Sequence, residues 1–447
     1  MKIAVLGMGY LGVTHAACMA SLGHEVLGVD IDDEKLAKLS SGEVPFFEPG
    51  LDALTEQMVR AGRLRFSSSY RDAADFADVH FIAVGTPQKR GEFAADVSAI
   101  DSVIEELAPM LTRAVVLFGK STAPVGTAER LRVRAQELAP AGADVELAWN
   151  PEFLREGHAI KDTLEPDRLV LGAARDGAGR AIAVAKEVYS SILEKGIPFL
   201  TVDLATAELV KISANAFLAT KISFINAIAE VCEAAGADVV QLADALGYDQ
   251  RIGRAFLNAG LGFGGGCLPK DIRAFMARAG ELGADQALTF LREVDAINMR
   301  RRSQMVELTR EVCGSLLGVR VAVLGAAFKP DSDDVRDSPA LNVAGQLQLQ
   351  GAAVNVYDPK ATDNCRKIFP TLGYSASVVD ACDRADIVLV LTEWQEFRDI
   401  EPSELASIVA HKRILDGRNC LDPQQWRASG WLYRGFGRGR SESSNGF

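Results

Sequence analysis

The chain of 447 residues has few histidines and no clustered cysteines. Its five histidines form no H-x-x-x-H pattern and its seven cysteines have no C-x-x-C spacing, so we expect no metal site. An odd number of cysteines without a secretory signal predicts reduced thiols and a cytoplasmic protein. There is no block rich in Lys and Arg, and 48 Lys plus Arg stand against 60 Asp plus Glu, giving a net charge of −12. Nucleic acid is therefore not an expected partner.

The sequence also offers no obvious membrane anchor at its start. The first apolar run breaks at Gly7, which is too short for a membrane span, so we expect no membrane association. Apolar residues make up 48% of the chain, enough for buried cores in about two to three domains.

Short apolar strands alternate with helical segments in the first part of the chain. Residues 2–6 and 26–30 flank a predicted helix, which makes one βαβ unit. Further strands are predicted at 79–84, 114–118 and 145–148. This alternation is typical of a parallel, doubly wound α/β sheet, and we place a Rossmann-type domain at residues 1–203.

The later part of the chain changes character twice. Residues 204–303 are rich in Ala, Leu, Ile and Val at helical spacing, which predicts a central helical domain. A strand–loop–helix–strand–Asp plan then returns from residue 319, and predicts a second Rossmann-like domain at 304–433 that mirrors the first. The low-complexity segment 434–447 is predicted to be disordered.

A glycine motif follows the first predicted strand. Gly7, Gly9 and Gly12 form G-x-G-x-x-G at the start of a helix, where a pyrophosphate can approach backbone N–H groups. Asp30 ends the second strand, where a carboxylate accepts hydrogen bonds from an adenosine ribose and repels a 2′-phosphate. These features predict an NAD site, with a purely structural turn as the alternative.

Small polar residues follow two more strands. Thr86-Pro87 and Ser121-Thr122 are expected at the carboxyl edge of the sheet, where open α/β folds bind ligands. A hydroxyl there can hold cofactor or water, or can simply stabilise a turn.

A dense glycine loop ends in a cysteine. Residues 260–271 read GLGFGGGCLPKD, and so many glycines suggest that the backbone passes close to a ligand. Pro269 fits the first turn of a helix, so Cys267 should lie near a helix N-terminus, where the dipole and Lys270 favour the thiolate. Cys267 is thus a candidate nucleophile, with a small buried hydrophobic residue as the alternative.

Two further polar pairs are candidates for chemistry. Lys211 and Asn215 are four apart on an apolar helix, one turn after Glu208, and together can stabilise an oxyanion. A salt-bridged surface lysine with a polar neighbour is the alternative. Glu152 and Glu156 are four apart on a possible helix start, suited to general-base work or to solvent.

With these residues in place, the chain resembles the UDP-glucose/GDP-mannose dehydrogenase family from residue 1 to about 430. The resemblance is carried, in order, by GMGYLG with Asp30, PFFEPGL (45–51), VGTP (84–87), STAPVGT (121–127), NPEFLREG (150–157), AELVKISANAFLATKISFIN (207–226), GYDQRIG (247–253), FLNAGLGFGGGCLPKD (256–271), AFKPDSDDVRDSPAL (327–341), YDP (357–359), TEWQEF (392–397) and DGRN (416–419).

The resemblance implies oxidation of the C6 alcohol of a nucleotide sugar to a carboxylate with two NAD⁺ per sugar. The aldehyde formed first would be trapped by Cys267 as a thiohemiacetal, oxidised to a thioester and released by water. Lys211 and Asn215 would stabilise the oxyanion, Asp271 would organise water, and Thr122 with Glu152 would complete the proton network. The motifs favour UDP-glucose as substrate and a homodimer formed through the central helices.

The resemblance also implies two sets of binding residues. On the cofactor side it adds Tyr10, Leu11, Lys35, Thr86, Pro87, Ser121, Thr122, Glu156 and Arg336 to the glycine motif and Asp30. On the UDP-sugar side it implies Glu152, Phe153, Leu154, Arg155, Lys211, Asn215, Phe256, Leu257, Phe263, Gly264, Gly265, Phe328, Lys329 and Arg418, together with Arg251, which would reach the site of the partner subunit.

Two residues depart from the family pattern. Gly266 replaces the serine that usually precedes the cysteine, which is expected to loosen the loop, and Ala123 replaces a larger aliphatic residue. A UDP-N-acetyl-hexosamine and GDP-mannose compete with UDP-glucose as the expected substrate. A single-step hydroxyacyl or hydroxyacid dehydrogenase and a non-catalytic NAD-binding redox sensor are two competing hypotheses for the function.

Overall fold

The computed structural model describes residues 1–174 and 179–438. The chain divides into two compact units, the first made of Met1–Ala214 and Arg273–Gly283, the second of Asn215–Ile272 and the chain from Ala284 onward. Two of the three divisions fall inside helices, and the units do not coincide with the three predicted domains. Those three domain boundaries remain predictions.

The first unit contains an eight-stranded sheet in the order β3-β2-β1-β4-β5-β6-β7-β8. Its strands are β1 (Lys2–Leu6), β2 (Glu25–Val29), β3 (Leu64–Ser67), β4 (Val79–Ile82), β5 (Val115–Gly119), β6 (Val145–Trp149), β7 (Leu169–Ala173) and β8 (Phe199–Asp203). Its helices are α1 (Tyr10–Ser21), α2 (Asp33–Ser40), α3 (Leu51–Arg60), α4 (Tyr70–Phe76), α5 (Ser98–Leu107), α6 (Thr127–Leu138), α7 (Ala159–Leu164), α8 (Gly179–Val188) and α9 (Ser190–Leu193).

Alternation along the strands produces a core on each face of this sheet. On β1, Ile3 and Val5 belong to one apolar cluster, and Ala4 and Leu6 belong to another. Six of the strands have the 3-2-1-4-5-6 order of a Rossmann fold, which confirms the predicted doubly wound class.

Two strands, β7 and β8, run opposite to the other six, against the predicted direction. β7 pairs antiparallel with β6 through Trp149 and Gly172, whereas the other neighbours in the sheet are parallel. The connection between them carries only α7, whose six residues rise about 9 Å, less than the length of a strand. The chain therefore does not return to the start of β6, and the expectation of an all-parallel sheet was wrong here.

The part of the chain between β8 and the next strand is helical, as predicted. It contains α10 (Leu204–Ala235), α11 (Val239–Gly247), α12 (Leu268–Glu281) and α13 (Phe290–Cys313). By length and composition, α10 is the one helix of the described residues apolar enough to cross a membrane, and 44% of its most apolar window is buried. A core helix of a soluble protein passes the same test.

The second unit contains a six-stranded sheet in the order β11-β10-β9-β12-β13-β14, again the Rossmann order. Its strands are β9 (Arg320–Leu324), β10 (Ala353–Tyr357), β11 (Gly373–Tyr374), β12 (Ile387–Val390), β13 (Arg413–Asp416) and β14 (Leu432–Gly435). The remaining helices are α14 (Pro339–Leu349), α15 (Thr362–Ile368), α16 (Val378–Cys382), α17 (Gln395–Arg398), α18 (Pro402–Ala406) and α19 (Pro423–Ala428).

The predicted disordered tail begins too early. Arg434 lies in β14, Phe436 is buried, and the N–H of Gly437 donates to Glu233 Oε1 at 2.7 Å. An apolar ring and a backbone bond therefore hold these residues in place. Residues 439–447 of the predicted tail lie outside the described residues.

Candidate active site

The glycine motif of the first unit shapes the turn from β1 into α1. A β-carbon at Gly12 would overlap the carbonyl oxygen of Gly7, and Gly7 has φ +96° while its N–H donates to Val29 O at 2.7 Å. Around Gly9, the residue before α1, a β-carbon would meet nothing within 4 Å. The start of α1 is thus approachable by an anion, which fits the pyrophosphate of a dinucleotide.

Asp30 lies directly after β2, beside that turn. Its Oδ2 accepts a hydrogen bond from the N–H of Met8 at 2.6 Å and lies 3.0 Å from Lys35 Nζ. Asp30 and Lys35, both predicted on the cofactor side, are therefore held together at the carboxyl end of β2.

The Tyr10 hydroxyl is used inside the protein. It donates to Glu48 Oε2, and the Glu48 carboxylate also accepts from the N–H groups of Gly157 and Ala159 at 2.6 and 2.7 Å. Burial is the main reason that the pKa of Tyr10 is raised, and the Glu48 carboxylate adds to it. Its neighbour Leu11 packs at the edge of a core cluster. The hydroxyl proton of Tyr10 is thus already used within the protein.

The strand-end hydroxyls connect two neighbouring strands. Thr86 Oγ1 donates to Thr122 O at 2.6 Å, and Ser121 Oγ donates to Val84 O at 2.7 Å. Both bonds join the exits of β4 and β5, so these two hydroxyls have the turn-stabilising role that was the alternative. Pro87 is exposed beside them.

Glu152 and Lys211 form an ion pair with 2.9 Å between Oε1 and Nζ. Lys211 is buried, which contradicts the alternative of a surface lysine. The expectation that Glu152 and Glu156 lie on a helix was wrong, because α7 begins only at Ala159. Pro151 disfavours helix in the residue before it, and Glu152 Oε2 instead accepts from the N–H of Leu154 at 2.7 Å.

An aromatic residue, Phe153, and a cationic residue, Arg155, follow Glu152. The ring of Phe153 lies under the Arg168 guanidinium, with 3.9 Å from Cζ to the ring centroid, and 5.8 Å from Lys211 Nζ. Arg155 is exposed and pairs with Asp162 at 2.7 Å.

Sequence reasoning missed a buried polar cluster behind Glu152. Lys120 Nζ donates to Asn150 Oδ1 at 3.1 Å, and the Tyr189 hydroxyl donates to the same oxygen at 2.7 Å. Burial lowers the pKa of Lys120 to about 8, opposed by the Glu152 carboxylate and reinforced by the Lys211 ammonium. The sequence signal for this cluster is Lys120 itself, a charged residue directly after the apolar strand β5 and before Ser121.

A second missed role belongs to Glu208. Its carboxylate accepts from the N–H groups of Gly126 and Ala128 at 2.8 and 2.7 Å, and so caps α6 from α10. Burial raises the pKa of Glu208 to about 7, against the lowering effect of those backbone bonds and of Arg278. Glu208 therefore fastens the end of the segment that carries Thr122.

In the second unit, Cys267 comes directly before α12 and is the one exposed cysteine of the seven. Asp271, in the first turn of α12, is buried, and its carboxylate accepts from Asn215 Nδ2 at 2.6 Å and pairs with Lys270 Nζ at 2.6 Å. The predicted helix start is confirmed. The ammonium of Lys270, predicted to favour the thiolate, shares its charge with Asp271.

The glycine loop packs closely against other parts of the second unit, and the predicted approach of a ligand stays a prediction. A β-carbon at Gly262 would overlap Asn298 Oδ1, and one at Gly264 would overlap Asp337 O. A β-carbon at Gly266 would overlap the Arg336 guanidinium. The close approaches described are made to the protein itself, so they do not require a ligand.

Arg418 is a structural clamp on this loop. Its Nε donates to Leu391 O at 2.8 Å, Nη1 to Gly262 O at 2.8 Å, and Nη2 to Phe328 O at 3.2 Å. Lys329 Nζ lies 5.5 Å from the centroid of the Phe328 ring.

The remaining predicted residues of this unit come before, within or after the glycine loop in sequence. Arg336 pairs with Asp334 at 2.6 Å, and its backbone oxygen accepts from Gly265 N at 2.8 Å. Arg251 is exposed and pairs with Asp249 at 2.6 Å. The remaining three are Phe256, which has φ +65°, and the buried Leu257 and Phe263.

Comparison with known proteins finds three models of one family along the chain. The NAD binding domain of the UDP-glucose/GDP-mannose dehydrogenase family matches residues 1–193, its central domain 205–300 and its UDP binding domain 322–423. The chain belongs to the UDP-glucose/GDP-mannose dehydrogenase family. The predicted family, fold class and NAD cofactor are thereby confirmed, and the protein is an NAD-dependent oxidoreductase.

Relatives in this family match over nearly the whole length. The chain is 41% identical to the UDP-glucose 6-dehydrogenase of Rhizobium meliloti (strain 1021), covering 98% of this chain and 100% of that protein. Among solved structures it resembles a UDP-glucose dehydrogenase from Pyrobaculum islandicum, with TM-score 0.89, 35% identity and 98% of each chain covered. It also resembles a UDP-D-ManNAc dehydrogenase from Pyrococcus horikoshii, with TM-score 0.84, 27% identity and coverage of 98% and 100%.

Proposed function

We propose that this chain oxidises UDP-glucose to UDP-glucuronate with two NAD⁺ per sugar through a covalent intermediate on Cys267. The observation that carries the proposal is the exposed thiol directly before the N-terminus of α12. A helix N-terminus stabilises a thiolate, which is the nucleophilic form of cysteine.

The residues of the first unit fit NAD in kind. The open backbone at Gly9 would take the pyrophosphate and Asp30 the adenosine ribose, with Lys35, Glu156 and the strand-end residues around them. Bound NAD⁺ accepts a hydride in each of the two oxidations.

The polar groups act on charge that develops at C6. When the C6 alcohol loses its proton and a hydride, an aldehyde forms, and Lys211 and Asn215 stabilise the negative charge on its oxygen. The Lys211–Glu152 pair, with 2.9 Å between Nζ and Oε1, holds the ammonium in one orientation in a buried setting. Thr122 and Glu152 relay the departing proton.

The thiolate then adds to the aldehyde carbon, which forms a C–S bond and places negative charge on oxygen. Loss of the second hydride from this thiohemiacetal gives a thioester. A water molecule organised by Asp271 attacks the thioester carbonyl, the C–S bond breaks, and the carboxylate leaves with the thiolate restored. One water is consumed for each sugar.

The residues proposed to contact the nucleotide sugar are 152–155 in the first unit and residues of the glycine loop and the C-terminal sheet in the second. Lys329 and the backbone N–H of Gly264 are suited to a diphosphate, whereas the N–H of Gly265 already donates to Arg336 O at 2.8 Å. Phe256, Phe263 and Phe328 are suited to apolar faces of the ligand. The names of the relatives support UDP-glucose, with a UDP-N-acetyl-hexosamine as the runner-up.

The test is an assay of the purified protein with NAD⁺ and UDP-glucose, UDP-N-acetylglucosamine or GDP-mannose in parallel. We expect two NADH per UDP-glucose and the highest kcat/KM with that sugar. One NADH per sugar would instead indicate a single-step dehydrogenase, and NAD⁺ binding without turnover on any sugar would indicate a redox sensor.

We also propose a cytoplasmic homodimer formed through α10. Phe217, Phe224 and Val231 are exposed on this helix at a spacing of seven residues, which places them on one face. Sedimentation of the wild-type protein should give twice the chain mass of 47.9 kDa, and Phe224→Glu should reduce it to the monomer.

A further inference from the structure

Two buried side-chain amides, those of Asn215 and Asn298, bond residues that lie four positions after and four positions before Cys267. Four residues after it, Asp271 is held by Asn215 Nδ2 at 2.6 Å. Four residues before it, Phe263 is held by Asn298, a residue of α13 with no exposed surface. Asn215 is already assigned a role in the proposed reaction, whereas Asn298 is not.

Asn298 satisfies both backbone groups of one loop residue. Its Oδ1 accepts from Phe263 N at 2.8 Å, and its Nδ2 donates to Phe263 O at 3.0 Å. A carboxamide is suited to this because it offers a donor and an acceptor on one planar group. The loop is built around it, since Gly262 has φ +94° and a β-carbon there would overlap Asn298 Oδ1.

The chain between this clamp and the thiol consists of Gly264, Gly265 and Gly266. Glycine restricts the backbone least of all residues, so the position of this segment depends on its bonds to other parts of the protein. Those bonds are the pair from Asn298 to Phe263 and the bond from Gly265 N to Arg336 O at 2.8 Å. A fixed Phe263 limits the space that this short segment can explore. A nucleophile displaced by about 1 Å can lose about 10²-fold in rate.

We propose that Asn298 is a positioning residue that fixes the glycine loop and thereby the thiol of Cys267. This inference rests on the proposed function of Cys267 as the nucleophile. Asn226, whose Oδ1 accepts from Gly260 N at 2.8 Å, and Arg301, whose Nε donates to Gly260 O at 3.1 Å, hold the beginning of the same loop. Asn298 is distinguished from them by its nearness to Cys267 along the chain.

The test compares Asn298→Leu, which removes both bonds at similar volume, Asn298→Asp, which keeps the acceptor alone, and Ser223→Ala as a matched control. Ser223 is buried in α10, and its hydroxyl donates at 2.7 Å to the carbonyl of Val294, which lies on α13 as Asn298 does. Three quantities are measured on the full-length protein: kcat and KM, the melting temperature, and the rate at which iodoacetamide alkylates Cys267, followed by mass spectrometry of its peptide.

For Asn298→Leu we expect kcat to fall about tenfold or more with the KM for NAD⁺ within about twofold. Alkylation of Cys267 should slow by about threefold or more, because a looser loop lets the thiol turn away from the N–H groups at the start of α12 that favour the thiolate. Asn298→Asp should fall between this variant and wild type, and Ser223→Ala should lower only the melting temperature.

An unchanged alkylation rate or an unchanged kcat in a folded Asn298 variant would overturn the inference. So would an equal loss of kcat in Ser223→Ala. Failure of the proposed function is recognised separately, by a Cys267→Ala enzyme that still forms two NADH per sugar.

Discussion

The ammonium of Lys211 and the carboxylate of Glu152 lie 2.9 Å apart with most of both side chains removed from water. A buried pair depends on both partners, because removing one leaves an uncompensated charge in the protein. The pair joins α10 to the segment after β6, and in the proposed reaction its ammonium stabilises the developing oxyanion.

We predict that Lys211→Ala lowers kcat by about 10²-fold or more while the KM for NAD⁺ changes little. Glu152→Ala should also lower kcat, and the double variant should be less impaired than the product of the two effects, since the two residues act as a pair. Lys195→Ala, which removes an exposed ion pair with Glu165, is the control. Steady-state kinetics of the wild-type protein and these four variants test this, and unchanged turnover in Lys211→Ala would contradict it.

Asp30→Ser should narrow the preference for NAD⁺ over NADP⁺. The variant removes the carboxylate that would repel a 2′-phosphate and leaves the Lys35 ammonium, now 3.0 Å from Asp30, available to one. The ratio of kcat/KM for the two cofactors measures the effect. Equal use of both cofactors by the wild-type enzyme would show that Asp30 does not determine the choice.

Local patterns predicted what depends on neighbours in sequence. The first βαβ unit was placed within about two residues, because the strand alternation and the glycine motif are both local signals. The start of α12 was also predicted, from Pro269. The spacing of four residues between Glu152 and Glu156 wrongly predicted a helix. Pro151 disfavours one there, and the Glu152 carboxylate bonds the N–H of Leu154 instead.

Interactions between distant segments were not predictable in this way. Glu208 caps a helix 80 residues away, and Asn298 holds Phe263 35 residues away. Nothing in the local sequence of either residue indicates its partner. For the same reason, the glycines of the loop were found, but their packing against Asn298, Asp337 and Arg336 was not predicted.

Arg418→Ala should impair more than substrate binding. Its guanidinium holds three backbone carbonyls, including that of Gly262 in the glycine loop, so its loss should raise the KM for the sugar nucleotide and also lower kcat and the melting temperature. Lys329→Ala should mainly raise KM. Kinetics and thermal melting of both variants separate the two cases; an Arg418→Ala enzyme with normal kcat and stability would argue against the clamp.

Glu208 should make stability depend on pH. Burial raises its pKa in the folded protein to about 7, whereas the unfolded chain has the ordinary glutamate value of about 4.3. Its contribution to the free energy of unfolding is therefore full below about pH 4.3 and is lost as the pH rises through about 7. Urea unfolding of wild type and Glu208→Gln at about pH 5 and about pH 8 should show a smaller pH dependence in the variant. The exposed Glu194→Gln is the control, and equal slopes in all three proteins would refute the assignment.

Replacement of Cys267 tests the covalent mechanism most directly. Without a nucleophile the aldehyde cannot be held for the second oxidation, so Cys267→Ala should lose acid production while it still binds NAD⁺ and the sugar nucleotide. NADH counted per sugar, together with binding titrations, measures this. Cys420→Ala, at a less exposed cysteine in the same unit, is the control and should retain two NADH per sugar.

Cys267→Ser should separate the two oxidations. A serine hydroxyl has a far higher pKa than a thiol and attacks the aldehyde poorly, and an ester on serine hydrolyses slowly. We therefore expect either release of the aldehyde after one NADH or an intermediate that stays on the enzyme. Mass spectrometry of the variant after incubation with UDP-glucose and NAD⁺ should detect the aldehyde or a protein adduct of sugar-nucleotide mass. Normal formation of two NADH per sugar by Cys267→Ala would instead rule out the thioester and leave the glycine loop with a binding role alone.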